Sequence, residues 1–313
     1  MNRRAWILLL ALAALWGASY LFIKVALEDL SPAMIVFSRT ALAALVLLPF
    51  ALATGALAGL RARAGAVGAL ALLQIAAPFA LITVGERYIS SSLTGILVAS
   101  APIFTALLAP LLDDGERSGG LRLVGVALGI VGVGVLLGLD SGEGPLALVG
   151  GLMVVVAGGC YALAGFYFKR RFADVAPVGA VTVAMVAAAA MLAVPAALTA
   201  PTAVPQAITL GAIAALGVGG TGIAFVIFYT LLGTVGPART SLVAYIAPGF
   251  AVIYGVTLLG ERFTLATLAG LALIIGGSWL AAGGRMPLGG TRHARVGTSA
   301  RIPTTETERR VTP

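Results

Sequence analysis

Residues 112–117 read Leu-Asp-Asp-Gly-Glu-Arg, and residues 257–262 read Thr-Leu-Leu-Gly-Glu-Arg. The shared Gly-Glu-Arg triplet recurs at an offset of 145 residues in a chain of 313. The same offset relates Lys24 to Lys169, Trp16 to Tyr161, Pro32 to Pro177, Gly125 to Gly270 and Gly132 to Gly277. Pro102 and Phe104 meet Pro248 and Phe250 at 146, which implies one extra residue near positions 113–114 of the first copy. Self-similarity at a fixed spacing is the mark of a duplicated unit. The chain therefore reads as two copies of one design.

What is duplicated follows from composition. Hydrophobic residues make up 60% of the chain and charged residues 10%, with a mean hydropathy of +1.06. A globular protein carries about 25% charged residues, so a soluble fold of this size would lack a polar skin. A bilayer core needs roughly 17–25 apolar residues per helix. Runs of that kind lie near 5–25, 33–53, 67–85, 91–112, 121–139, 146–168, 177–198, 207–232, 238–259 and 265–283. Membrane barrels would alternate apolar and polar residues, and these runs are continuous. The expected fold is an all-α membrane protein with ten transmembrane helices. Its first five-helix repeat spans 5–139, its second spans 146–283, and 284–313 form a disordered cytoplasmic tail. Five is odd, so the copies cross the membrane in opposite directions. Inverted repeats are the architecture of secondary transporters, with the solute site near the midplane where the halves meet.

Charge sets the orientation. The net charge of +8 would raise a nucleic-acid partner in a soluble protein, but no basic patch here is interleaved with aromatics. Sixteen of the 20 Lys and Arg residues fall on the side of the N-terminus, which makes both termini cytoplasmic in a plasma or inner membrane. The single Cys160 excludes an intramolecular disulfide and a cysteine metal cluster. The single His293 lies in the tail, so no metal or other cofactor is expected. An intramembrane enzyme would need a nucleophile with a base, and no span holds a histidine or a mid-helix carboxylate. The expected partners are a small-molecule substrate and the lipid bilayer, with a second copy of the chain as a candidate and no nucleic acid.

An ionisable group inside a bilayer is a functional candidate by default. Arg39 is the clearest, seven residues past Pro32 and so roughly 10 Å along a helix. It either snorkels or meets a structural partner such as Gln74, or it faces a substrate anion. Trp16 and Tyr20 share a helix face and could orient a ligand, as could Gln74, Tyr161, Tyr229 and Tyr245. Aromatic packing and helix–helix hydrogen bonding compete with those roles. Pro102 and Pro248 remove backbone hydrogen bonds at matching positions and are hinge candidates. Glu116 and Glu261 each follow a glycine at a span end, where a turn-and-cap role competes with gating. All twelve acids lie in loops, at span ends or in the tail, which argues against a proton path through a mid-membrane carboxylate.

Leu15-Trp16-Gly17 followed by Lys24, Phe37-Ser38-Arg39, Ala101-Pro102, Ala247-Pro248 and Leu259-Gly260-Glu261-Arg262-Phe263-Thr264 stand in order, with Gly270 and Gly276-Gly277 after them. In this order the chain resembles the EamA-type members of the drug/metabolite transporter superfamily, from about residue 5 to residue 283. The resemblance implies a secondary transporter that exports or exchanges small metabolites, amino acids or drugs across the plasma membrane by alternating access. A lipid flippase or a non-transporting structural membrane protein is the alternative. Two positions depart from internal symmetry: Tyr161-Ala162 replaces Trp16-Gly17, and Ala184 stands where Arg39 would recur.

Overall fold

The computed structural model describes residues 1–112, 120–139 and 144–283. Glu116 and the expected tail at 284–313 lie outside the described residues. Among the described residues, nine helices are long and apolar enough to cross a membrane: α1 Arg3–Ala26, α2 Pro32–Ala53, α3 Arg61–Gly85, α4 Ser91–Leu112, α5 Gly120–Gly138, α6 Leu146–Arg171, α7 Pro177–Leu198, α8 Ala207–Val235 and α9 Pro237–Leu258. A shorter apolar helix, α10, follows at Leu265–Ala281. No strand occurs among the described residues. The protein is an all-helical, multi-pass membrane protein, as expected where lipid offers no partner to a free backbone group.

Several helix starts are set by local chemistry. The side chains of Asn2, Ser31 and Ser90 accept from the amides of Ala5, Met34 and Leu93. Each satisfies one of the donors that a first turn leaves open. Pro32 follows Ser31 at the first position of α2, where its missing N–H costs nothing. Thr264 and Thr267 form a reciprocal capping box at α10.

The helices pair in a regular scheme. α5 packs along α10 and α2 along α7, while α1 lies against α8 and α9 and α6 lies against α3 and α4. Further contacts join α2 to α8 and α3 to α7. Exchanging the first five helices for the last five leaves this list unchanged. The α5–α10 seam is the most extensive pairing and is built on glycine: a Cβ at Gly277 would fall 2.7 Å from the Gly125 carbonyl oxygen and 2.6 Å from the Gly129 amide nitrogen. Small residues of this kind let helix backbones approach closely in lipid.

Two features depart from plain α-helix. Leu72–Ala76 within α3 and Ala215–Ile223 within α8 are π-helical, and at the 145-residue offset the first falls inside the longer second. α4 is broken at positions 99 and 100 and resumes at Ala101–Leu112. Pro102 therefore starts the resumed helix, whereas α9 is interrupted earlier, at positions 241 and 242, and Pro248 sits inside the helix Val243–Leu258 that follows. The matched prolines do different things to their helices.

Candidate functional site

A cavity of about 600 Å³ lies between the helices, lined by Trp16, Tyr20, Arg39, Gln74, Tyr161 and Tyr245 among others. Its volume suits a small molecule. Pro102 and Pro248 also line it, as do Phe79, Phe225 and Phe228. It reaches exposed Thr105, Ser241 and Ala282, so it meets the surface at the end of the bundle where α1 begins. Tyr229 does not line it; its ring stacks on Phe225, 6.0 Å between centroids, and meets Phe228 edge-on. Tyr229 is a supporting wall behind those rings.

Arg39 is 7% exposed and fixed from two sides. Its Nε donates to Thr221 Oγ1 at 2.8 Å, and its Cζ stands 3.7 Å from the centroid of the Phe79 ring. A guanidinium over an aromatic face gains a favourable electrostatic contact. Thr221 in turn donates to the carbonyl of Leu216, five residues earlier, at 2.9 Å. That spacing belongs to the π segment of α8, so the widened turn aims the hydroxyl that orients the guanidinium. The terminal nitrogens of Arg39 have no hydrogen-bond partner among the described residues. The partner is thus Thr221, and Gln74, although it lines the same cavity, makes no hydrogen bond to Arg39. No sequence signal marked Thr221, because its role depends on α8 packing against α2.

Trp16 is anchored by aromatic contacts to Phe228 and Phe225, with centroids at 5.5 and 6.3 Å. Its neighbour one turn on, Tyr20, faces the cavity. Together with Tyr161 on α6, these rings surround the arginine with apolar faces and a few polar tips.

The opposite end of the bundle is closed. Ile23, Leu30, Ile89 and Leu93 belong to one buried apolar cluster there. Polar ties lie over it. Lys24 Nζ donates to the carbonyls of Glu86 at 2.8 Å and Ile89 at 2.9 Å. Asp29 accepts from the Gln206 amide at 2.8 Å and from Thr209 Oγ1 at 2.6 Å, ties that hold its carboxyl below the usual carboxylate value. Glu261 accepts from the amides of Ser91 and Ser92 at 2.7 and 2.9 Å and from Ser92 Oγ at 2.5 Å. The sequence marks Glu261 as a cap at its own turn; the structure has it cap α4, a different helix. Gly255 leaves it room, since a Cβ there would collide with the Glu261 carboxylate and the Ser92 hydroxyl.

The model of the EamA-like transporter family matches residues 4–138 and 148–283. The chain belongs to that family. An uncharacterized inner membrane transporter, YedA, of Escherichia coli (strain K12) is 30% identical over 85% of each chain. A "Probable terminal-alkyne amino-acid exporter" of Streptantibioticus cattleyicolor is 27% identical over 94% of this chain and 97% of its own. A solved crystal structure superposes with a TM-score of 0.65 at 23% identity, covering 90% of this chain and 97% of the other; it speaks to the fold alone. The protein is thus an EamA-family membrane transporter.

Proposed function

We propose that this EamA transporter moves a small solute bearing a carboxylate, such as an amino or organic acid, exporting or exchanging it by alternating access. The observation that carries the reading is Arg39. Its Nε and one face of its guanidinium are occupied, and its paired terminal nitrogens are left beside a cavity of small-molecule size. A planar two-nitrogen donor matches a carboxylate better than a point charge does. Trp16, Tyr20, Gln74, Tyr161 and Tyr245 supply the remaining contacts. An acyl chain would leave these polar groups unmatched, which favours a polar solute over a flipped lipid. The relative named as an amino-acid exporter lends weight to the substrate class.

The two halves, 5–139 and 146–283, act in this reading as inverted repeats, ten spans with both termini in the cytoplasm. The unchanged pairing list on exchange of halves supports it, and so does the charge asymmetry. The cavity then faces the cytoplasm, with the Lys24–Glu261 end closed on the outside.

Detergent-solubilised protein offered a panel of amino and organic acids and their amides tests the proposal by thermal shift. At least one acid should raise Tm where its amide does not. At [L] near 100 times Kd the stabilisation is about 2.7 kcal/mol. Arg39→Lys should fold and lose that shift. An amide that stabilises as well as its acid, or an Arg39→Lys variant with the full shift, contradicts it.

A further inference from the structure

Glu86 directly follows α3 and reads in the sequence as a span-end acid, but it is 0% exposed, and neither carboxyl oxygen has a hydrogen-bond partner. Buried carboxylates are ordinarily paired or hydrogen-bonded, because the ionised form loses its water. Lys24 is the natural counter-ion, yet its ammonium is held by the backbone carbonyls of Glu86 and Ile89. No ion pair to Glu86 occurs among the described residues. The hydroxyls of Thr83, one turn earlier, and of Ser91 are also buried without partners. On the far side the backbones of Gly85 and Gly150 touch, a Cβ on either meeting the other's carbonyl oxygen at 2.7 Å. Water has no gap to enter there. A neutral acid tolerates this setting and a carboxylate does not.

The groups facing Glu86 are few. α1 presents Lys24 and Tyr20, α2 presents Arg39, and the segment before α10 presents Glu261. α6 brings Gly150 and Val154 against the adjoining Gly85. Segment 86–92 is also where closure is made. It supplies the carbonyls that hold Lys24 and the amides that hold Glu261.

We propose that Glu86 is a proton-binding site that locks this end of the transporter: the neutral acid keeps the end sealed, and loss of its proton to water releases it. A negative charge on Glu86 draws the Lys24 ammonium off the two carbonyls. It also repels the Glu261 carboxylate from Ser91 and Ser92, as like charges at one site must. Both polar ties of the lock weaken together. The ligand is a single proton, and the consequence is a pH-dependent share of molecules open at this end. The meaning of the lock rests on the transport reading above, but its test needs no solute, so the two can fail separately.

Infrared difference spectra of the purified protein report the carbonyl stretch of protonated carboxyl groups. A cysteine at Leu30, buried in the sealed cluster, reports opening by its alkylation rate in a Cys160→Ser background, relative to a cysteine at exposed Thr199. At neutral pH the protein should show a protonated-carboxyl band that is absent in Glu86→Gln. As pH rises the band should fade while the relative alkylation rate climbs, by up to about tenfold per pH unit for one proton. Glu86→Gln should stay slow throughout. No protonated-carboxyl band at neutral pH, a band that survives in Glu86→Gln, or the same relative pH dependence in that variant overturns the proposal. If Glu86→Gln does not accumulate, the protein with native Glu86 decides alone: the band and the reporter must titrate together, and separate titrations refute the lock.

Discussion

Asp29 and Glu86 are both acids at the sealed end, and their surroundings push them in opposite directions. Asp29 has three donors and a depressed pKa, with the Thr209 hydroxyl the largest cause. Its native value lies below its unfolded one. Its stabilising effect is therefore complete above the ordinary value of 3.8 and is lost as pH falls through the lower native value. Asp29→Asn should lower Tm at neutral pH, and the difference from the unmutated protein should shrink to nothing in acid below that native value. A difference that persists undiminished there would mean the ties do not depend on the charge. Arg39, which lines the cavity, was legible as a candidate because a charge inside an apolar run is conspicuous. Glu86 and Thr221 were not: a span-end acid looks solvated until the helices packed over it are known, and one threonine among several carries no mark. Tyr229 has a residue type that suits a binding site, but its ring packs on Phe225 and Phe228, which the sequence does not reveal.

At the scale of elements, the spans were readable from uninterrupted apolar runs, and their pairing was implicit in where glycines recur. Gly270 and Gly277 repeat Gly125 and Gly132, and all four lie on the α5–α10 seam, where added Cβ atoms would meet the facing helix. Gly277→Ala should destabilise the fold by about 1–3 kcal/mol through overpacking against backbone that cannot yield. Its neighbour Gly276, with nothing within 4 Å of an added Cβ, should accept alanine without loss. Equal tolerance at the two positions in a detergent unfolding titration would refute the close-packed seam. The π segments were invisible in sequence, because a widened turn reflects what the neighbouring helices allow and leaves no periodicity of its own. They nonetheless occur at matching places in α3 and α8, and one of them sets the Thr221 hydroxyl. Such bulges are frequent at functional sites. The break in α4 directly precedes Pro102, whereas that in α9 falls earlier than Pro248, at positions 241 and 242, so the fourth helices of the two halves bend at different places.

The whole molecule is a bundle whose pairing survives exchange of its halves, around a cavity that meets the surface at one end and is tied shut at the other. Halves that cross the membrane in opposite senses can offer one cavity to both of its sides by related movements. Glu28 after α1 and Ala173 after α6 stand at equivalent positions, 145 residues apart, and both are exposed. Each can be replaced singly by cysteine in a Cys160→Ser background and probed in intact cells with a membrane-impermeant maleimide, before and after permeabilisation. The account predicts that the cysteine at 28 reacts from outside in intact cells, while the one at 173 reacts only after permeabilisation. Two cysteines on the same face would contradict the inverted architecture and the alternating access built on it.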